Sequence, residues 1–597
     1  MTSDSFLGLF QWEGGAHMRP DFNAAWFDGR AAYRWHSDSP RSRLQAGALG
    51  SWQVLVWGSL RSPAFKTGSA VEALLGCLAA GQTLADFLAD CSGEFAICAW
   101  DDHNRAAYLA VDPIGLYKLY YRQTAQAVVV SSHPQQIGRI TSDFEIDPDG
   151  LFLYLSLRGI PAPYSLLKRI HKVIPGSVLQ IDRQGRKETQ VFYYRPPGYS
   201  QPPQSFEDSC QSLTALLTDS VGQCLADSQP RAGIFLSGGI DSAYLAALAK
   251  KQAGLTAFSV GYLPAYRKDE TGAAQATARL LDLPVQTFKP APSELLDILE
   301  AAAPDLPEPV ADASFLSQLY LARQAGPQTN VLLDGTGADN LFGGLNKVIA
   351  ESYLRLLSRL PGFSRRMLSA VLERMPTSRK WALTDQARKL QKLLYGYGLT
   401  GQQRQVYWTR FIHPEILHNL VQPAWLPDRD LAQELLIANY DTGQFDSDLQ
   451  ASAAMSMKTI MPWGSLYKLY CIDLLSGVSI RAPFLSPAMI HFGFNLPDEY
   501  KVHGREVKYI LRQAARQVVP RPVLDRAKGN FSPPVGEWLR GDFNPLLREL
   551  IQQDSIFDRS YLASMLREQF EYRRDWSLEL WTVFILLQWI KSQGTLK

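Results

Sequence analysis

The sequence predicts two domains: an α+β sandwich rich in strands, then an α/β domain with a doubly wound parallel sheet and a large helical carboxyl-terminal part. At 597 residues the chain exceeds a single hydrophobic core. Residues 196–205 hold four prolines and a glycine, which no helix or central strand tolerates. Strand patterns dominate before this stretch, and strands alternate with helices after it. We therefore expect domains at 1–200 and 206–597.

Composition excludes several classes of protein. The chain is 46% apolar and 20% charged, as soluble folded proteins are, and its net charge of +2 gives no strong field for nucleic acid. No apolar run approaches 18 residues, so we expect no membrane span. The six cysteines form no CxxC pair and no zinc pattern. The first residues lack a basic segment before an apolar core, so we expect a cytoplasmic protein with reduced thiols.

The elements of the first domain follow from short β-rich runs. Apolar and aromatic residues bounded by Gly, Asp or Pro predict strands at 52–57, 94–100, 107–111 and 127–131. Only the region 69–90 has apolar residues at helical spacing.

The second domain begins with a regular alternation of helices and strands. Helices at 206–227, 242–253, 270–282 and 312–325 each precede an extended run, at 233–236, 255–261, 284–288 and 330–334. This order is typical of a doubly wound parallel sheet. From about residue 345 the chain reads as almost all helix.

The loop after the first of these strands has the character of a phosphate site. Gly238 and Gly239 have no Cβ, so consecutive backbone N–H groups can turn toward an anion at a helix N-terminus. Ser237 and Ser242 add hydroxyl donors, and Asp241 adds a carboxylate suited to Mg²⁺. No Gly-Lys-Ser/Thr follows, so the loop is not Walker A. The alternative for Asp241 is a helix N-cap.

This Ser-Gly-Gly-Ile-Asp-Ser loop resembles the pyrophosphate loop of the ATP pyrophosphatases. Four further motifs lie in order downstream, and with them the second half resembles asparagine synthetase and its relatives. These motifs are Asp334-Gly-Thr-Gly-Ala-Asp339-Asn-Leu-Phe-Gly-Gly344, Arg481-Ala-Pro-Phe-Leu485, Lys508-Tyr-Ile-Leu-Arg512 and Arg526-Ala-Lys528-Gly-Asn-Phe-Ser-Pro-Pro.

The resemblance implies an adenylation site that uses ATP and Mg²⁺. Ser237, Gly238, Gly239 and Ser242 would hold pyrophosphate, and Asp241 and Asp339 would bind Mg²⁺. Phe235, Val260 and Gly335 stand where the family lines the nucleotide pocket. Lys508, in a helix expected to begin after Gly504, would contact the phosphate and the oxyanion, where a fixed cation stabilises developing charge. Lys528 and Arg526 would neutralise pyrophosphate, and Glu308 and Asp312 would face the acyl substrate.

The first domain resembles the glutaminase-type, Ntn-hydrolase-like sandwich of the same family. The motifs Gly93-Glu-Phe-Ala-Ile-Cys-Ala-Trp100, Asp112-Pro-Ile-Gly-Leu-Tyr-Lys-Leu-Tyr-Tyr121 and Ile174-Pro-Gly176 lie in the family's order. Such a glutaminase uses a cysteine directly after the initiator Met, whereas this sequence has Thr2 there and no cysteine before Cys77. We expect a degenerate glutaminase domain; a Thr2 nucleophile is the alternative.

Loss of the glutaminase implies that the attacking amine arrives with the substrate, as in the β-lactam synthetases and lasso peptide cyclases. We therefore expect a lasso-type macrolactam cyclase that acts on a precursor peptide, alongside a leader peptidase and a peptide-recognition protein. Thr336 stands where asparagine synthetases have Glu and β-lactam synthetases have Tyr. The alternatives are an asparagine-synthetase-like or β-lactam-synthetase-like enzyme of a small amino acid, and a nucleotide- or peptide-binding pseudoenzyme.

A basic segment lies within the helical part. Between Arg355 and Arg410 there are twelve Lys or Arg residues against Glu373 and Asp385. We interpret it either as a solvated helical face or as a docking surface for an acidic or extended peptide. Nucleic acid is a third alternative, which the near-neutral chain disfavours.

Overall fold

The computed structural model describes most of the chain. The described residues are 5–11, 24–26, 31–36, 44–62, 69–125, 127–182, 189–192, 205–226, 228, 231–262, 266, 269–357, 367, 371–372, 375, 382–440, 445, 447–526 and 532–594. The predictions for Thr2 and Lys528, and all but the last residue of the linker 196–205, lie outside them.

The first domain is a sandwich of two six-stranded antiparallel sheets. One sheet has the order β10-β8-β9-β1-β3-β2 and the other β12-β11-β7-β6-β5-β4. The strands are β1 (Ser5–Gln11), β2 (Ala24–Trp26), β3 (Ala31–His36), β4 (Leu44–Leu49), β5 (Trp52–Arg61), β6 (Ser92–Asp101), β7 (Ala106–Val111), β8 (Tyr120–Gln123), β9 (Ala127–Ser131), β10 (His171–Lys172), β11 (Ser177–Asp182) and β12 (Thr189–Phe192).

Both faces of the central strands are buried, which explains their nearly continuous apolar sequence. Along β5, Leu55 and Trp57 point into the main core of the chain, whereas Val54 and Val56 join a separate outer cluster. Helices Ala70–Ala79 and Leu84–Ala89 cover that outer cluster. Because strand side chains alternate between faces, each face needs its own apolar set. Helices Pro134–Ile140 and Pro148–Leu157 complete the domain.

The second domain contains the predicted parallel sheet, with one strand more than the sequence suggests. Its strands are β13 (Ala232–Phe235), β14 (Leu255–Val260), β15 (Val285–Phe288), β16 (Val331–Leu333) and β17 (Ser479–Arg481). Their order is β15-β14-β13-β16-β17, and every neighbouring pair is parallel. Strand β17 has three residues, which are too few to show an alternating pattern of apolar and polar side chains. A hairpin of β18 (Val502–His503) and β19 (Glu506–Val507) follows.

Helices surround this sheet and make up most of the other described residues of the second domain. Near the sheet they are Phe206–Leu225, Ile240–Ala249, Thr271–Leu280, Pro292–Ala302, Phe315–Ala325 and Ala338–Leu341. Beyond it they are Asn346–Leu357, Ala382–Tyr395, Gly401–Thr409, Pro414–Leu420, Leu431–Ala438, Asp448–Lys458, Leu466–Ser476, Pro487–Asn495, Asp498–Lys501, Tyr509–Ala515, Arg521–Leu524, Val535–Arg540, Asn544–Gln553, Arg559–Phe570 and Ser577–Ser592. The sequence analysis did not predict Pro292–Ala302.

The strand order fixes where the loops meet. β13 lies between β14 and β16, so the chain leaves β13 toward one side and reaches β16 on the other. The loops that follow β13 and β16 therefore lie side by side at the carboxyl edge, the position where open α/β sheets bind ligands.

Buried polar contacts join the two domains. The Lys172 ammonium lies 2.5 Å from a Glu308 carboxylate oxygen, and both side chains are almost fully buried. Leu166 donates its backbone N–H to the same carboxylate at 2.9 Å. Burial lowers the pKa of Lys172 and raises that of Glu308, and the attraction between the two groups opposes both shifts. Arg481 and Glu94 form a second ion pair across the interface.

We expect Lys172→Met to destabilise the protein by about 3–5 kcal/mol, because it leaves the Glu308 carboxylate buried without its cation. Calorimetry should show a lower unfolding midpoint, and Lys172→Met/Glu308→Gln should recover part of the loss. The matched control is Lys168→Met, which breaks an exposed ion pair with Glu145 and should change the midpoint little. Equal effects of the two single variants would contradict this account of the interface.

Candidate active site

The loop after β13 is a compact turn held by its own serines. Gly239 precedes the helix Ile240–Ala249 as its N-cap residue. The Ser237 N–H donates to the Ser242 hydroxyl at 3.2 Å, and the Gly239 N–H donates to the Ser237 hydroxyl at 3.1 Å. The two hydroxyl oxygens lie 3.1 Å apart. The predicted phosphate donors are thus brought together on one short stretch of backbone.

Gly238 packs this loop against the neighbouring helix Thr271–Leu280. A Cβ on Gly238 would lie 2.6 Å from the Cβ of Ala273, so a side chain would push the two elements apart. The Gly238 N–H donates to the carboxylate of Glu270, whose pKa is raised by burial. The sequence analysis missed Glu270, which carries no motif of its own.

Arg526 anchors the same loop. Its guanidinium donates to the carbonyl oxygen of Gly238 at 2.9 Å and to that of Ala273 at 3.2 Å. The sequence analysis gave Arg526 a role in neutralising pyrophosphate; in the structure its Nη1 is engaged with carbonyl oxygens of the loop and the adjacent helix. Arg526 therefore acts on the position of the loop backbone.

The second loop follows β16 and is shaped by Asp334. The Asp334 carboxylate accepts hydrogen bonds from the backbone N–H of Thr336, at 2.7 Å, and from its hydroxyl. The Asp334 N–H donates to the carbonyl oxygen of Arg481 at 2.8 Å, which ties the loop to β17. Gly337 has φ of 103° and lies against Leu485, so only glycine fits there.

Lys508 joins the two loops. Its ammonium nitrogen lies 2.5 Å from Oδ2 of Asp241 and 2.8 Å from Oδ1 of Asp339. The lysine side chain is 5% exposed, whereas the aspartates are 22% and 40% exposed. The three predicted catalytic residues therefore form one cluster that faces solvent through its carboxylates.

The electrostatics of this cluster keep Lys508 charged. Burial alone lowers the pKa of a lysine, but the carboxylates of Asp241 and Asp339 outweigh it and raise the pKa of Lys508 above its ordinary value. Lys508 is thus an ammonium at neutral pH.

The backbone at Lys508 is unusual. Lys508 has φ of 55° and ψ of 37°, in the left-handed region that non-glycine residues seldom adopt. The helix begins at Tyr509, later than the start after Gly504 that the sequence suggested, because the β18–β19 hairpin intervenes. Such strained residues concentrate at functional sites.

Gly344 permits the approach of Lys508 to Asp339. A Cβ on Gly344 would lie 2.0 Å from Oδ1 of Asp339 and 2.2 Å from Cε of Lys508. No side chain fits in that space. The paired glycines at 343 and 344 were the available signal in the sequence.

The other predicted pocket residues lie around this cluster. Phe235 and Val260 are buried at the carboxyl ends of neighbouring strands β13 and β14. A Cβ on Gly335 would lie 3.3 Å from the Cβ of Asp241, which places Gly335 directly beside the first loop. These positions surround the carboxyl edge of the sheet.

The two acidic residues predicted to face the acyl substrate have different surroundings. Glu308 is buried in the interface with Lys172, so the expectation that it faces the substrate is wrong. Asp312 is 38% exposed and lies 3.7 Å from Lys468. Burial raises the pKa of Asp312, but Lys468, Arg158 and Ser314 together lower it to about 2. Asp312 is therefore a carboxylate throughout the neutral range.

Two absences concern the described part of the chain. No helix there is long and apolar enough to cross a membrane. Among the same residues, no three His, Cys, Asp or Glu side chains lie together as a complete metal site. Asp241 and Asp339 supply two carboxylates, so a cation held by them would need further oxygen ligands.

Comparisons with known proteins agree with this architecture. The Asparagine synthase family model matches residues 212–591, and the Glutamine amidotransferase domain model matches residues 59–194. "Asparagine synthetase [glutamine-hydrolyzing] 1" of Bacillus subtilis is 28% identical over 503 residues, covering 83% of this chain and 77% of that protein. A "Putative asparagine synthetase [glutamine-hydrolyzing]" of Mycobacterium bovis is 27% identical, covering 83% and 76%. "Amidase chyE" of Penicillium rubens is 24% identical, covering 79% and 74%.

The antiparallel sandwich and the parallel sheet define a glutamine amidotransferase-like domain joined to an ATP-pyrophosphatase-type domain. The chain belongs to the asparagine synthetase family. It is accordingly an ATP-dependent ligase that forms amide bonds and releases AMP. The predicted fold class and family are confirmed.

We expect Gly344→Ala to lower the rate of amide formation by about 10²-fold, because misplacing a catalytic group by about 1 Å has that effect. The added methyl would collide with the carboxylate of Asp339 and with the side chain of Lys508 and displace both. The control is Gly272→Ala, whose Cβ would meet nothing within 4 Å. Steady-state rates and unfolding midpoints of both variants provide the check; a normal rate for Gly344→Ala would remove the requirement for this close approach.

Proposed function

We propose that this ligase closes a ring: it adenylates a side-chain carboxylate of a precursor peptide and then joins it to the α-amine of the same peptide, as lasso peptide cyclases do. The observation that carries the first step is the cluster of Asp241, Asp339 and Lys508 at the meeting point of the two loops. Intact, charged partners at this position argue against a pseudoenzyme.

In the first step, the substrate carboxylate attacks the α-phosphorus of ATP and pyrophosphate departs. We assign pyrophosphate binding to Ser237, Gly238, Gly239 and Ser242, with Lys528 as a further candidate. The nucleotide would lie against Phe235, Val260 and Gly335. Catalysis of this step is mostly positioning and neutralisation of charge.

Asp241 and Asp339 are the residues that would hold Mg²⁺. Carboxylate oxygens are ligands this ion prefers, and two of them from separate loops already share one cation, so the donor set fits. Bound there, Mg²⁺ would supply charge neutralisation on phosphate oxygens.

In the second step, an amine attacks the acyl carbon and AMP departs. Lys508 is charged and flexible enough to stabilise the oxyanion that develops on the carbonyl. Asp312, as a constant carboxylate, is a poor base for the amine. The Thr336 hydroxyl is turned toward Asp334, so the loop presents neither a Glu nor a Tyr at that position.

The cysteines of the first domain bear on the source of the attacking amine. Cys98 is fully buried, and burial raises its pKa. Burial also raises the pKa of Cys91 to about 11. Cys77 packs with Cys91 against the outer apolar cluster. Thiolates are the reactive form, so Cys91 and Cys98 make poor nucleophiles for glutamine. We therefore propose that the attacking amine is part of the substrate.

Packing at the domain interface adds support. The ring of Trp57 meets that of Tyr117 edge-on with centroids 4.8 Å apart, and that of Tyr470 with centroids 5.9 Å apart. All three side chains are buried. Aromatic rings thus fill the space between the sandwich and the second domain, as expected where the first domain serves as a scaffold.

A peptide substrate is favoured by the surface near the basic segment. Six of the eleven exposed large apolar side chains among the described residues lie between positions 353 and 395. They are Tyr353, Met367, Val371, Met375, Leu383 and Tyr395. The first of them, Tyr353, lies on helix Asn346–Leu357, which begins two residues after Gly344. An extended peptide bound there would lie close to the adenylation loops.

Several basic residues of this segment are paired with carboxylates, so the segment attracts an acidic peptide less strongly than the number of its Lys and Arg residues suggests. Arg388 and Lys389 pair with Asp385, and Arg404 pairs with Glu351. Arg410 is buried against Asp430. The side chains of the other basic residues of the segment, apart from Lys392, lie outside the described part. We propose that apolar contacts dominate peptide docking and that charge assists it. A leader peptidase and a peptide-recognition protein remain the proposed partners.

ATP–pyrophosphate exchange tests the proposal. We expect exchange to require Mg²⁺ and a precursor peptide with an Asp or Glu acceptor, and to vanish when that residue is Asn or Gln. Asp241→Asn and Asp339→Asn should each abolish exchange with the fold intact, because each removes one charge from the metal site. Exchange driven by a free amino acid in place of the peptide would favour the small-molecule alternative.

The docking surface makes a separate prediction. Leu383→Ser should weaken peptide binding at all salt concentrations, whereas Lys389→Glu should slow association mainly at low salt, because exposed charges are screened over about 8–10 Å at physiological ionic strength. The control is Arg429→Glu, an exposed arginine paired with Glu434 outside the segment. Binding kinetics at low and high salt distinguish the variants; wild-type kinetics in both would leave this segment a solvated face.

A further inference from the structure

Lys508 occupies the point at which the two carboxylates converge. Its ammonium touches Asp241 and Asp339 at once, and its side chain is almost fully buried behind them. We infer that Lys508 is an internal cation that takes the place of the divalent metal ion and must withdraw before that ion can bind both aspartates. This inference rests on the proposed metal role of Asp241 and Asp339.

The charges make joint occupancy unfavourable. An ammonium and a divalent cation a few ångströms apart repel each other. Each aspartate also directs one oxygen at Lys508, Oδ2 from Asp241 and Oδ1 from Asp339. A metal ion bound between the carboxylates would need these same two oxygen atoms.

The chain offers a route for the withdrawal. Lys508 carries its charge on a flexible four-carbon stem, so the ammonium can move while the backbone stays in place. Gly344 leaves the Cε atom without a Cβ neighbour on that side. The phosphate oxygens of an arriving nucleotide would give the ammonium new anionic partners. The ammonium therefore loses its contacts with the two carboxylates, and only a bound nucleotide replaces those contacts.

The consequence is coupling between metal and nucleotide. A divalent ion alone must displace an ammonium from two ion pairs, whereas an ion that arrives with ATP does not leave that ammonium without a partner. Mg²⁺ and ATP therefore bind with positive cooperativity, and each raises the affinity for the other by the same factor. Lys508 also keeps two carboxylates of like charge together before the metal ion binds.

Binding of Mn²⁺ to the nucleotide-free protein, measured by electron paramagnetic resonance of the free ion, tests the inference. We expect Lys508→Met to bind one Mn²⁺ at least about 10-fold more tightly than wild type, within the usual range of coupling between sites. Lys508→Arg keeps a cation and should show no gain. Lys508→Met/Asp339→Asn should lose the gain, which assigns the ion to this site.

Equal Mn²⁺ affinities of wild type and Lys508→Met would overturn the inference, as would a folded Lys508→Met that binds no ion. Lys508→Gln provides a second test if the methionine variant does not fold. In wild type alone, Mn²⁺ binding without nucleotide as tight as that with a non-hydrolysable ATP analogue would contradict the coupling. None of these titrations uses a peptide, so they are independent of whether the enzyme closes a ring.

Discussion

A single ammonium group shared by two carboxylates is the interaction on which the site depends. Asp241 and Lys508 are 267 residues apart in sequence, so their contact exists only in the folded domain. The strand order brings the two loops side by side, and Gly344 leaves room for Lys508 to reach Asp339. The strained backbone at Lys508 is the cost of aiming its side chain at both loops.

The first domain supports this arrangement from outside. Glu94 pairs with Arg481 of β17, and the carbonyl oxygen of Arg481 accepts the N–H of Asp334. The sandwich thus contacts, through one strand, the loop that carries Asp339. The segment that contains Glu308 and Asp312 is held in the same manner, because Lys172 binds Glu308 and Arg158 donates to the carbonyl oxygen of Ala311. The first domain can therefore act on the geometry of the ligase site through these contacts.

The sequence predicted those features that depend on local pattern. Periodicity located four of the five strands of the parallel sheet but only four of the twelve strands of the sandwich. The loops around Ser237 and Asp339 were recognisable because glycines and carboxylates follow buried strands there. Features that arise from contacts distant in sequence were missed. Glu308 was expected to face the substrate because it lies on a loop of the second domain, but its partner Lys172 lies in the other domain. Strand β17 is defined by pairing with β16, and three residues carry no period. Contacts of Arg526 with the carbonyl oxygens of Gly238 and Ala273 could not be predicted from the sequence, because these residues lie more than 250 positions away.

The two domains share one continuous hydrophobic cluster, which extends from Leu55 in the sandwich to Trp589 near the carboxyl end. The proline-rich stretch thus separates the two sheets along the chain, but the hydrophobic core contains residues from both sides of it. Separating the two halves would expose apolar surface on both of them. Lys172 and Glu308 would then each lie next to that surface without a counterion. A domain whose interior has become part of its neighbour's interior is therefore retained for the stability of both, whatever chemistry it performs itself.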